Sequence, residues 1–206
     1  MNSFKTIKNN SSAEMLEKKS RFIANLFYVN SQQEAEVFIN KIKKVNYNAK
    51  HNCFAYIVMG ENGEKVKKFS DDGEPSGTAG APILEILEKQ NLCNILVVVT
   101  RYFGGILLGT GGLVRAYSGA VLEAFQNVEF INKTLGFEVE ITTNYKDAEK
   151  LKYNLEKEKI KIININYGEN VELLAQIPEN AIDKIIENNQ ELIIKTENKT
   201  KKYVGI

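Results

Sequence analysis

Residues 71–117 read DDGEPSGTAGAPILEILEKQNLCNILVVVTRYFGGILLGTGGLVRAY, and this stretch holds eight of the chain's fourteen glycines. Two glycine clusters, at 73–80 and 104–112, each run into a segment of helical spacing. Between them, 94–100 (NILVVVT) is an apolar, β-branched run of strand length. Glycine at this density adds no side chains to a core and raises the entropy lost on folding. It is kept where the backbone needs positive φ or must approach another group closely. The expectation is one buried strand flanked by two glycine loops, with the functional surface at those loops.

Outward from this strand, 19–29 (KSRFIANLFYV) reads as a strand, and Ser31-Gln-Gln-Glu34 is a capping box that opens an amphipathic helix to about Lys44. Residues 53–59 and 65–69 read as a hairpin around Gly60-Glu-Asn-Gly63. Thr78 or Gly77 is the expected cap of a helix over 79–90, with Pro82 in its first turn. A last helix is expected over 112–125. The order is β-α-β-β-α-β-α.

Eleven of the fourteen glycines precede residue 130, and the rest of the chain is rich in Ile, Asn, Lys and Glu, which places a domain boundary there: 1–130 and 131–206. The second part alternates period-2 and helical spacing over 135–143, 145–157, 159–167, 171–177, 179–189 and 191–196. That is β-α-β-β-α-β, an order that normally folds as a ferredoxin-like sandwich. The fold class expected for the whole chain is α+β.

Lys and Arg number 27 against 26 Asp and Glu, a formal net charge of +1, so the chain is not one that coats nucleic acid by bulk electrostatics. The N-terminus lacks the apolar run of a signal peptide and no window is apolar enough for a membrane span, so a cytoplasmic protein without membrane contact is expected. Cys53 and Cys93 lack zinc-site spacing and read as core residues.

The second loop carries the candidate chemistry. In Arg101-Tyr102-Phe103-Gly104-Gly105, followed by Gly109-Thr110-Gly111-Gly112 and Arg115, a strand ends, glycines turn the chain and a helix begins. Free N–H groups and the helix dipole suit an anion there, and the two arginines can add charged contacts. The structural alternative is close helix–sheet packing, with the arginines paired to Asp71, Asp72 or Glu74. Neither glycine pattern fits a Walker loop or the dinucleotide fingerprint.

Asp71, Asp72, Glu74, Ser76 and Thr78 in the first loop are candidate site-lining groups, although turn formation and capping explain the same residues and the calcium-loop pattern is absent. No metal or cofactor is expected. His51, the only histidine, precedes a strand and shares a strand face with Cys53, as a site-lining group or, in the sharper reading, a base. Tyr102 and Phe103 suit base stacking or burial.

KKSRFIA at 18–24, AKHNCFAY at 49–56, FSDDGEPSGTAGAPIL at 69–84 and VVVTRYFGGILLGTGGLVRAYSGA at 97–120 closely resemble the YigZ/IMPACT family. The resemblance spans nearly the whole first part, and the second resembles the smaller C-terminal domain of bacterial members. It implies an N-terminal domain of the type shared by a small-subunit ribosomal protein, the fourth domain of elongation factor G and the GHMP kinases. It further implies a ferredoxin-like C-terminal domain. Eukaryotic relatives regulate translation, and nucleic-acid or ribosome association is the usual suggestion for bacterial ones. The function expected is a non-catalytic translation regulator or ribosome- or RNA-associated factor. The alternatives are an enzyme acting on a phosphorylated small molecule and a protein-interaction module.

Overall fold

The computed structural model describes residues 3–60 and 63–205. It has a mixed α/β architecture with antiparallel sheets and divides into two compact units, one over 3–131 and one over 132–205.

The first unit contains β1 (Ser3–Ile7), β2 (Ser11–Glu17), β3 (Ser20–Tyr28), α1 (Gln32–Val45), β4 (His51–Met59), β5 (Lys65–Ser70), α2 (Gly80–Lys89), β6 (Ile95–Tyr102) and α3 (Thr110–Phe125). Its five-stranded sheet runs β2-β3-β6-β4-β5, antiparallel throughout, which puts the 95–102 strand at the centre. Strands β3 and β4 are therefore parallel with β6 between them, as β5 and β6 are with β4 between them. Each helical crossover spans a strand inserted from elsewhere in the sequence.

Both faces of this sheet are covered, which is why β4 and β6 are apolar in nearly every position. Phe54, Tyr56, Leu96 and Val98 pack on Ala35 and Ile39 of α1. The alternate residues Cys53, Ala55, Val97 and Val99 are buried on the opposite face, where α2 and α3 lie. Ser31 caps α1 as expected, accepting from the Glu34 N–H at 3.1 Å, while the Glu34 carboxylate reaches back to the N–H of Asn30. Of the expected 60–63 turn, Glu61 and Asn62 lie outside the described residues.

The first two strands differ from the sequence expectation, which began at 19. Residues 11–17 (SSAEMLE) carry good helix formers, yet they pair residue for residue with β3 from Ser11↔Leu26 to Glu17↔Ser20. The hairpin between them turns on Lys18 and Lys19, both at positive φ (45° and 64°). Two-residue turns of this kind are signalled by Asn-Gly or Asp-Gly, and two lysines give no such signal.

The second unit holds β7 (Phe130–Thr143), α4 (Ala148–Lys157), β8 (Lys161–Tyr167), β9 (Val171–Pro178), α5 (Ile182–Asn188) and β10 (Lys195–Gly205), with β7 beginning at the division. Its strands run β10-β7-β9-β8, each pair antiparallel. Val139, Ile141, Leu173 and Ala175 face Leu151, Leu155, Ile182 and Ile185 of the two helices. The opposite face of β7 and β9 carries Glu138, Glu140 and Glu172.

Candidate functional site

The two glycine loops and the start of β4 meet at one end of the central strand. The segment 71–79 crosses this end and is held there by its own carboxylates. Asp71 accepts from the backbone N–H groups of Gly77, Ala79 and Gly80 at 2.9, 3.0 and 2.8 Å. It thereby caps α2 from nine residues away, which corrects the expectation of Thr78 or Gly77 as the cap. The Thr78 hydroxyl instead donates to the Pro75 carbonyl at 2.6 Å. Asp72, at φ 43°, accepts from Lys43 Nζ at 2.6 Å and from the Asn52 N–H at 2.7 Å, tying the loop to α1 and β4. Ser76 is exposed on the outside of the loop.

Glu74 and Arg101 turn inward. The Arg101 side chain is 7% exposed and that of Glu74 3%, and Nη1 donates to Oε1 at 2.7 Å. The Tyr117 hydroxyl of α3 donates to the same Oε1 at 2.8 Å. The guanidinium lies over two aromatic rings, 5.5 Å from the centroid of Phe22 and 5.6 Å from that of Phe103. Its Nη2 reaches Ser20 Oγ only at 3.4 Å, and its buried Nε has no acceptor. Arg101 is thus not the exposed phosphate contact of the sequence reading. A charge this enclosed needs a counter-charge within bonding distance, and Glu74 is the residue that supplies it.

The Cys53 thiol lies 2.9 Å from the Asp71 carbonyl and 3.3 Å from the Tyr117 hydroxyl oxygen. Burial pushes it up to about 12. Burial, then the neighbouring Cys53 and Glu74, likewise pushes the Tyr117 hydroxyl far above the ordinary tyrosine range. Cys53 is therefore a protonated packing residue and not a nucleophile. His51 Nδ1 stands 2.9 Å from the Asp72 carbonyl. A carbonyl only accepts, so Nδ1 carries a proton, and in the neutral tautomer this leaves Nε2 as the acceptor.

Helix α3 begins at Gly109, whose φ of 73° suits glycine, and no side chain caps it. Thr110 and Gly111 are exposed. Between this helix start and His51 lies a pocket of about 420 Å³. Its polar side is formed by Lys50, His51 and the Arg101–Glu74 pair, and its apolar side includes Phe103, Leu107 and Leu113. Leu107 is 84% exposed.

The structure brings His51, Glu74, Arg101, Phe103, Gly109 and Thr110 to this pocket and sends other expected residues elsewhere. Arg115 is exposed and lines a separate recess of about 140 Å³ beside Met15 and Lys18, so the two arginines do not converge on one anion. Tyr102 points to the opposite face of β6, where its hydroxyl donates to Asn46 Oδ1 at 2.8 Å. Gly104 has a packing duty, because a Cβ there would come within 2.0 Å of the Lys19 carbonyl in the β2–β3 turn. Gly105, at φ 84°, turns the chain, and Gly112 follows in the first turn of α3.

Lys50 and Leu113 were missing from the sequence reading of the site, as were Ser20 and Tyr117 of the Arg101 network. Lys50 adjoins His51, and Tyr117 sits in the apolar stripe of α3, where nothing marks its hydroxyl as a partner for a carboxylate. Among the described residues no cluster of His, Cys, Asp and Glu is arranged to hold a metal, and no helix is long and apolar enough to cross a membrane.

Residues 18–125 match the Impact N-terminal domain, and residues 141–188 match a second domain described as Domain of unknown function (DUF1949). The chain is 43% identical over 179 residues to the IMPACT family member YvyE of Bacillus subtilis, covering 87% of this chain and 82% of that one. It is 38% identical over 161 residues to the IMPACT family member YigZ of Escherichia coli, covering 78% of this chain and 79% of that one. A crystal structure described as that of a hypothetical protein aligns with a TM-score of 0.64 at 30% identity, over 100% of this chain and 98% of that one. The whole pocket, from Lys50 to Leu113, falls inside the matched N-terminal domain. With relatives that span both units and a site built from the segments that carry the resemblance, the chain belongs to the IMPACT family.

Proposed function

We propose that this protein is a non-catalytic, translation-associated binding factor that receives its partner at the pocket between β4, β6 and the start of α3. The observation that carries this reading is the uncapped, exposed N-terminus of α3 facing a pocket with cationic and apolar walls. Translation enters through what the family resemblance implies, with RNA, the ribosome or a protein as the partner. The carboxylates of the first loop each hold structure: Asp71 caps α2, Asp72 ties the loop to α1 and β4, and Glu74 neutralises Arg101. Strand order β10-β7-β9-β8 supports a ferredoxin-like reading of the second unit, as a scaffold whose outer face bears carboxylates. A cytoplasmic location belongs to the same proposal.

Cosedimentation with ribosomes and anisotropy of a labelled hairpin RNA, each across a salt series, test this reading. The expected result is saturable association that weakens with salt and falls in a Lys50→Ala variant. Absence of association with either at low salt would overturn it. One observation favours a second reading, an enzyme acting on a phosphorylated small molecule: the bare Nε2 of His51 is placed to take a proton at the same pocket. Turnover of a phosphorylated metabolite that is lost in His51→Gln would establish that reading instead.

A further inference from the structure

Four features of the pocket wall constrain what can occupy it. The first turn of α3 offers backbone N–H groups without a side-chain cap, a fit for a small anion. Arg101, 6% exposed, stands in the wall with its enclosed Nε unpartnered and its Nη2 bond long at 3.4 Å, so its hydrogen bonding is incomplete after Glu74 has taken Nη1. His51 is held with Nε2 as an acceptor in its neutral form, which calls for an N–H or O–H on the occupant beside its anionic group. Phe103, Leu107 and Leu113 supply an apolar wall, and Leu107 stands out at the mouth.

A nucleic-acid strand fits these features poorly. It would present a train of phosphates, whereas the pocket has one exposed lysine, its arginine is neutralised by Glu74, and the chain carries a net charge of only +1. A compact group that joins one carboxylate, an adjacent N–H donor and a bulky apolar side chain fits all four. That group is the C-terminal residue of a polypeptide.

We infer that the pocket captures the free C-terminus of a partner protein ending in a bulky apolar residue. The carboxylate is held at the N–H of Thr110, in the first turn of α3, with Lys50 and Arg101 nearby, the terminal peptide N–H donates to His51 Nε2, and the side chain packs on Phe103, Leu107 and Leu113. This inference deepens the binding role proposed above and rests on it.

The test uses the full chain and fluorescein-labelled peptides Gly-Ser-Gly-Ser-Ala-Leu, -Phe and -Val, each as the free acid and as the C-terminal amide, read by anisotropy. Saturable binding of at least one free acid, weakened about tenfold or more by amidation, is expected. Thr110→Pro removes one N–H at a position that tolerates proline and should weaken the acid without changing the unfolding midpoint. Leu107→Ser, at an exposed site, should weaken all three acids, and Arg115→Ala should leave them unchanged. Equal affinity for acid and amide, or no binding of any peptide, overturns the inference. A hairpin RNA that displaces the bound acid from the pocket while binding more tightly overturns it too. Ribosome cosedimentation run on Thr110→Pro separates the two levels. Association that persists while acid and amide bind alike removes the C-terminus as ligand and leaves the translation reading standing. Peptide binding without any ribosome or RNA association removes the translation reading alone.

Discussion

Both units contain a β-α-β-β-α-β run, and each weaves it differently. From β3 to β6 the first unit orders its strands β3-β6-β4-β5, so its last strand is central and its first lies beside it. The second unit runs β10-β7-β9-β8, so its last strand is at the end and its first is central. They differ as sharply in what they bury. Beneath its loops the first unit encloses Arg101, Glu74, Tyr117, Asn52 and Thr100, whereas the buried polar residues of the second, among those described, are Thr143 and Asn189. A buried charged network destabilises unless every partner is in place, and it gives the residues around it little freedom. The first unit therefore holds a shaped pocket, while the second has the apolar core of a scaffold.

The most direct way to break this contrast is to remove one half of the ion pair. Arg101→Leu leaves Glu74 enclosed with Tyr117 as its remaining donor and should cost about 3–5 kcal/mol, read from the urea midpoint by far-ultraviolet circular dichroism. Arg101→Met combined with Glu74→Leu should recover part of that loss, because no charge is then left unpaired. A loss below about 1 kcal/mol for the single variant would place the pair in solvent and erase the difference between the units.

A smaller effect is expected at Asp71, whose carboxylate gathers three backbone donors. Asp71→Ala should cost about 2 kcal/mol, the scale of a lost helix cap with further N–H groups unmet. Hydrogen exchange should quicken in peptides covering 77–83 and stay unchanged in those from 148–188. Uniform quickening across both units would show that the cap supports more than its own loop.

These two residues also mark where the sequence was legible. The glycine loops and the strand between them were readable because positive φ and β-branching leave a trace in composition, and family motifs ran through the same residues. The pairing of Arg101 with Glu74 was open as one of three choices among Asp71, Asp72 and Glu74, since a carboxylate every one to three residues gives no hint of which points inward. Asp71 as a cap was hidden because its partners lie six to nine residues ahead, beyond the one-turn spacing that capping rules use. Helix formers in 11–17 masked β2, where pairing with β3 overrides local preference. Strand order was hidden in the first unit, because a shared element order leaves the weave to long-range packing.

A pH titration sharpens the comparison further. Both cysteines lie in the first unit, and burial raises both thiols, Cys53 to about 12. In the unfolded chain a thiol titrates near ~8.5, so above that pH the unfolded state binds fewer protons than the native one and stability falls as pH rises. Cys53 alone should remove about 1 kcal/mol between pH 8 and about 9.5, and Tyr117 adds to the loss as pH approaches the tyrosine range. Cys53→Ala should flatten that part of the slope. Exchange protection should weaken in first-unit peptides before those of the second, and the reverse order would locate the alkaline weakness elsewhere.

The smallest effect tests the second unit on its own terms. Thr143 is fully buried at the end of β7, and its hydroxyl donates to the Leu192 carbonyl at 2.5 Å. Thr143→Val keeps the shape and the β-branch, so the loss is confined to one neutral hydrogen bond and one carbonyl left unmet, about 1 kcal/mol. The same hydroxyl in the first unit, Thr100, donates to Asn52 Oδ1 at 2.8 Å, and the Asn52 N–H in turn donates to Asp72. Thr100→Val should therefore cost more than Thr143→Val, because Asn52 sits in a chain of bonds that reaches the pocket loop. Equal losses would mean that the buried polar groups of the first unit act one by one. A larger loss at Thr100, with faster exchange in 71–80, would show that they act together and that loop order is transmitted along β4.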